Sequence, residues 1–138
     1  MPYGNLNVDV VQSSTAGTPP QFNDGNGVQV GTLCRAWVNF NASSGTSAVI
    51  RTSFNVSSVT RNSAGDYTVN FTTAFSDANY TPLVSTGNST TTNSMCISIN
   101  SSTGADVAPT TTAFRFALFR RSDGANQDAT YLSASVFR

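Results

Sequence analysis

Aspartates are the only acidic side chains in this chain. His, Glu and Lys are absent, and the charged residues are seven Arg and seven Asp. Ser-His-Asp triads, Cys-His pairs and histidine metal ligands are therefore excluded. Two Asp residues could still act as acid and base, as in glycoside hydrolysis, but several of the seven stand beside Gly, Asn or Ser, as turn formers do. We expect a protein that is not an enzyme and needs no cofactor.

One short segment carries oxygen ligands that suit a hard cation such as calcium. Asp123, Asn126 and Asp128 fall within the run 122–128. Their spacing does not match an EF-hand loop, and a polar loop between two strands is the preferred interpretation. The segment is a candidate cation site, and otherwise no metal site is predicted.

The two cysteines, Cys34 and Cys96, also lack a metal-type spacing. Disulfides are rare in a reducing cytoplasm. We expect buried free thiols, and whether the two pair is left open.

Arg35 and Trp37 are the candidate binding or subunit-contact residues. They alternate with Cys34 and Ala36 and therefore share the outer side of a predicted strand. Both residue types are enriched at interface hot spots. Because an exposed Trp is costly, contact with another subunit is preferred over contact with a ligand.

Composition bounds the remaining possibilities. The 138 residues suit one domain, and 14 aromatic residues spread along the chain favour folding. A net charge of zero argues against nucleic acid as a partner. No apolar run approaches the roughly 20 residues that span a bilayer, so membrane insertion is not expected. Residues 1–7 lack the pattern of a secretory signal, and a cytoplasmic site of synthesis is expected.

Hydrophobic residues alternate with period two over most of the chain. Strands are predicted at 33–40, 50–56, 56–60, 67–72, 82–86, 95–100, 113–120 and 130–137, with a hairpin joining the third and fourth. The residues expected to fill the space between sheets are Cys34, Val38, Phe40, Phe54, Val69 and Phe71. With no helix available for crossovers, the pattern predicts an all-β fold, an antiparallel, jelly-roll-like β-sandwich.

Residues 1–30 differ from the rest of the chain. Residues 13–20 have the composition of turns and extended chain, and residues 23–27 have that of a tight turn. We interpret 1–30 as an extended N-terminal arm for attachment and 31–138 as the β-sandwich domain. A flexible terminus is the alternative.

Four segments carry a resemblance to a known group of proteins. The runs 31–41, GTLCRAWVNFN, 50–59, IRTSFNVSSV, 65–72, GDYTVNFT, and 77–80, DANY, resemble the C-terminal module of tail-fibre-like proteins of tailed bacteriophages, notably cyanophages. The similarity covers roughly 28–138. Those proteins often have a long shaft before this module, whereas about 30 residues precede it here.

The resemblance implies a virion structural protein, assembled in the host cytoplasm and forming a homotrimer exposed on the particle. It implies a short tail-fibre or fibre-tip subunit that contacts other virion proteins through 1–30 and binds a host surface glycan. The alternative is a capsid decoration or cement protein that stabilises the phage head. Copy number separates the two, since tail fibres are few and decoration proteins are numerous.

Overall fold

The computed structural model describes residues 8, 10–12, 14, 20, 22–87, 95–98, 107–120 and 122–138, with backbone alone at 30 and 95–98. Within these ranges the chain forms ten β-strands and no helix, and so no helix that could cross a membrane. The strands are β1 Phe22–Asn23, β2 Gln29–Gly31, β3 Cys34–Asn41, β4 Val49–Phe54, β5 Val56–Ser63, β6 Asp66–Phe71, β7 Thr81–Gly87, β8 Met95–Ser98, β9 Ala113–Arg120 and β10 Tyr131–Phe137.

The chain divides into two compact units, Met1–Leu33 and Cys34–Arg138. In the first, β1 and β2 pair as a short antiparallel hairpin. Its turn is held by the Asp24 carboxylate, whose Oδ1 accepts hydrogen bonds from the backbone N–H groups of Asn26 and Val28, both at 2.9 Å. The tight turn predicted at 23–27 is confirmed.

The second unit consists of two four-stranded antiparallel sheets. One has the strand order β4-β3-β10-β7 and the other β5-β6-β9-β8. Aromatic rings from both sheets pack against each other between the sheets. For example, the ring centres of Phe40 in β3 and Tyr67 in β6 are 5.4 Å apart. The predicted antiparallel β-sandwich is confirmed.

Alternation along the strands decides which side chains enter the core. In β3, Ala36, Val38 and Phe40 are buried. The predicted core position of Cys34 is wrong, because the bulge at Arg35 interrupts the alternation and leaves Cys34 half-buried at the strand end. In β6, Tyr67, Val69 and Phe71 are buried, as the period-two pattern predicts. Cys34 is a free thiol, and the Cys96 side chain lies outside the described residues.

The predicted single strand 50–56 is wrong, and with it the core position of Phe54. Arg51 is the extra residue of a β-bulge in the pairing of β4 with β3. Because of this bulge, Ile50 faces the core, whereas Phe54 faces outward and is 54% exposed. Asn55, with φ of 54°, then ends β4, and Val56 begins β5 in the other sheet. A bulge and a corner interrupt the alternation, which periodicity alone does not reveal.

The predicted hairpin is confirmed, with longer strands and a shorter turn. Ala64 and Gly65 connect β5 to β6, and Gly65 has φ of 67°. A Cβ at Gly65 would lie 2.4 Å from the carbonyl oxygen of Leu118 and 2.7 Å from the nitrogen of Gln127. Only glycine therefore allows this turn to pack against β9 and the loop that follows it.

Candidate functional site

Large hydrophobic side chains are exposed on one sheet of the sandwich. In the described part of the second unit they are Trp37, Val49, Phe54, Leu83 and Tyr131. All five belong to β3, β4, β7 or β10, and each alternates with residues that face the core. We call these five residues, on the outer side of the β4-β3-β10-β7 sheet, the exposed apolar face. The sequence prediction that Trp37 lies on an outer face is confirmed.

Strand register brings three of these side chains into one row. Trp37 pairs with Phe54 on one side and with Ser135 on the other, and Ser135 pairs with Leu83. Because Ser135 and its neighbour Ser133 are small, an open groove of about 280 Å³ lies along the outer side of β10. Trp37 and Leu83 line it from the two flanking strands.

The next row of the same face is polar. The Asn39 amide donates a hydrogen bond to the Ser133 hydroxyl at 2.8 Å. Asn39 also pairs with Thr52, and Ser133 with Ser85. Neutral hydrogen-bonding groups therefore border the apolar row.

Arg51 crosses this face from the bulge of β4. Its guanidinium donates to the Asn39 side-chain oxygen at 3.2 Å and to the carbonyl oxygens of Phe40 and Thr130 at 3.0 and 2.7 Å. It also lies over the Tyr131 ring, 4.8 Å from the ring centre. These contacts hold the guanidinium in one position across three strands.

Arg35 is also the extra residue of a bulge. In the pairing of β3 with β10, Val136 is opposite Ala36 and Phe137 is opposite Cys34, so Arg35 is unmatched. Its guanidinium carbon lies 5.7 Å from the centre of the Phe75 ring. Its backbone carbonyl accepts a hydrogen bond from the Asn55 amide at 3.2 Å. Arg35 borders a second open cavity, which Phe54 also lines.

The outer side of the other sheet has a different chemistry. The Asn70 amide donates to the Ser58 and Thr60 hydroxyls at 3.0 and 3.2 Å. Arg115 forms a two-pronged ion pair, at 2.7 and 2.8 Å, with the buried carboxylate of Asp66. The polar groups named here, on β5, β6 and β9, satisfy one another, so the exposed apolar face is the stronger candidate for binding a partner.

Two carboxylates of the candidate calcium loop form ion pairs with arginines. The Asp123 carboxylate forms an ion pair with Arg120 at 2.8 Å, and its Oδ1 caps the backbone N–H of Ala125 at 3.0 Å. Asn126 is exposed and bridges to Phe119. No group of three or more carboxylate or thiol side chains in the described residues is placed to hold a metal ion.

Asp128 is instead the centre of a partly buried polar cluster. Its carboxylate accepts hydrogen bonds from Arg61 at 2.7 Å, the backbone N–H of Gly65 at 2.9 Å and the Tyr67 hydroxyl at 2.5 Å. Burial raises the pKa of Asp128, but these donors outweigh burial and hold the pKa below its ordinary value. Burial and the nearby carboxylate also raise the pKa of Tyr67. This cluster joins the hairpin turn to the loop before β10.

Sequence reasoning singled out Trp37 and Arg35 as candidates but missed other residues of the exposed apolar face and its surroundings. Phe54 was assigned to the core, and Arg51, Leu83 and Tyr131 were not singled out. Alternation with core residues marks Leu83 and Tyr131 as outward, but only the strand order places them beside Trp37.

The fold defines the class of this chain as an antiparallel β-sandwich, with an apolar outer face among its described residues. Comparison with known protein families, with curated proteins and with solved structures found no match.

Proposed function

We propose that this chain is a non-enzymatic virion structural protein of a tailed bacteriophage, a short tail-fibre or fibre-tip subunit that binds the host surface. The observation that carries the proposal is the grouping of all five exposed large hydrophobic side chains of the described sandwich on one sheet. In a chain with 52 Ser, Thr and Asn residues, such a face suits contact with a partner. The resemblance of 28–138 to fibre modules supports the same function.

The proposal gives each part of the chain a role. Residues 1–30 attach the protein to a neighbouring virion protein, and the sandwich faces outward as part of a homotrimer. The Asp residues support this non-catalytic role, because Asp66, Asp77, Asp123 and Asp128 are each ion-paired with an arginine.

Purified particles of the phage that encodes the chain provide the test. We expect quantitative mass spectrometry to find a few trimers per particle and cryo-electron microscopy to find them at the tail. We also expect purified protein to compete with phage for adsorption to host cells, and Trp37→Ala to weaken that competition. Absence from particles would refute the proposal, and hundreds of copies on the head would establish the decoration protein instead.

A further inference from the structure

Arg35 and Arg51 bring positive charge to the strands of the exposed apolar face, and no described carboxylate pairs with either. The four strands β3, β4, β7 and β10 contain Arg35 and Arg51 and none of the seven Asp residues. Within the described part of the chain, neither arginine forms an ion pair. A positively charged surface on a protein with a net charge of zero is suited to an anionic ligand.

The guanidinium of Arg51 is held in place before any ligand arrives. Arg51 is held by three hydrogen bonds and by the Tyr131 ring, and Arg35 lies over Phe75. A guanidinium has five N–H donors, so those that Arg51 does not use remain able to bind an anion. A fixed guanidinium loses little entropy when it does so.

The groove along β10 suits a sugar chain. Trp37 and Leu83 lie on the two strands that flank β10. Their backbones are therefore roughly 10 Å apart, which is twice the spacing between neighbouring strands. The apolar side of a sugar ring can pack against Trp37, 37% exposed, while Asn39 and Ser133 offer hydrogen bonds to its hydroxyls. Aromatic, amide and hydroxyl groups in one open groove are what recognition of a carbohydrate requires.

Two other occupants fit the charges less well. In a two-fold contact between copies of this chain, arginine-bearing faces without Asp would oppose each other. Nucleic acid binding usually draws on six to ten phosphate contacts, whereas this face offers two arginines. We infer that the exposed apolar face binds an acidic glycan, a polysaccharide bearing carboxylate or sulfate groups. This inference rests on the proposed function and names the chemistry of the host-surface ligand.

The test measures binding of the full chain to four probes. These are polygalacturonate with carboxylates, heparin with sulfates, neutral dextran and single-stranded DNA, each at low and high salt. We expect binding to polygalacturonate or heparin, weakening as salt increases, and little binding to dextran. The carboxylated and sulfated probes distinguish the two sources of negative charge.

Two variants with the same loss of charge locate the site. Arg35→Gln removes a face arginine, whereas Arg120→Gln removes one that is paired with Asp123 outside the four strands. We expect Arg35→Gln to weaken binding at least about fivefold, the loss of one charge-assisted contact, and Arg120→Gln to leave it unchanged. Ser135→Asp, which places a carboxylate in the groove, should abolish binding while circular dichroism stays that of the native sheet.

Four outcomes would overturn the inference. The first is no binding to either acidic polysaccharide, and the second is binding to dextran that equals it. The third is binding to DNA that is as tight as binding to the polysaccharides and as sensitive to Arg35→Gln. The fourth is Trp37-dependent self-association that excludes the glycan. If acidic glycan binding fails but the protein is found at the tail and competes for adsorption, the inference fails and the proposed function stands. If the glycan binds but the protein is absent from particles, the proposed function fails alone.

Discussion

Replacing Asp128 by Asn should destabilise the sandwich far more than its position in a loop suggests. The wild-type carboxylate neutralises Arg61 and accepts hydrogen bonds from the Gly65 backbone and the Tyr67 hydroxyl. The Arg61 and Asp128 side chains are only 15% and 13% exposed. Asp128→Asn keeps the shape of the side chain but leaves the guanidinium of Arg61 without its counterion.

The expected loss in the free energy of unfolding is about 2 kcal/mol at neutral pH, because removing one partner of a partly buried ion pair leaves the other charge uncompensated. Asp123→Asn is the matched control, since it removes a carboxylate from the same loop. The Asp123 side chain is 47% exposed and is paired with Arg120. An exposed pair contributes about 0.5 kcal/mol, and Asn can still cap the Ala125 N–H.

The pH dependence gives a second measurement. The folded-state pKa of Asp128 is lowered, so its contribution to stability is present above the unfolded-state pKa, about 3.9, and is lost as the pH falls through the folded-state value. Urea unfolding should therefore show a large gap in unfolding free energy between wild type and Asp128→Asn at pH 7, and this gap should narrow as the pH falls below the unfolded-state pKa. Equal losses in the two variants, or a gap that does not narrow in acid, would refute this account.

Three further substitutions test the fold. Gly65→Ala should lower the free energy of unfolding by more than about 2 kcal/mol, because φ is positive there and the added Cβ would contact backbone atoms. Gly45 also has a positive φ but faces open space, so Gly45→Ala should lower the free energy by about 1 kcal/mol, and urea unfolding measures both. Asn55→Ala should cost about 2 kcal/mol, seen as a lower melting temperature, because the Asn55 side chain closes the corner between the sheets through three hydrogen bonds. Calorimetry should show that Phe116→Ala lowers the free energy of unfolding by about 4 kcal/mol, whereas Phe54→Ala changes it by less than about 0.5 kcal/mol. A larger loss for Phe54→Ala than for Phe116→Ala would mean that Phe54 belongs to the core.

Most of the local structure could be predicted from the sequence. Strand β9 was predicted with the bounds that the structure has, and β7 and β10 within a residue at each end. Alternating side chains identify a strand and its two sides without reference to any neighbour, because the backbone itself imposes the period of two. The buried rows through Val38 and Val69 were predictable for the same reason.

The corner at Asn55 shows where such reasoning stops. Ile50 to Val56 alternates as one strand would, yet a bulge at Arg51 and a positive φ at Asn55 divide the segment between two sheets. Both features depend on contacts with distant residues, such as the hydrogen bonds from Arg51 to the carbonyl of Thr130 and from Asn55 to that of Arg35. Long-range contacts of this kind leave no local pattern.

The sequence by itself determined that this chain is all-β, that it contains no His, Glu or Lys, and that Trp37 lies on an outer face. Only the tertiary structure decided that Phe54 and Leu83 flank Trp37 and that Arg51 reaches Tyr131. The same structure pairs Asp128 with Arg61 across the sequence. Side-chain alternation is a property of each strand, whereas strand order and charge pairing are properties of the assembled sheets.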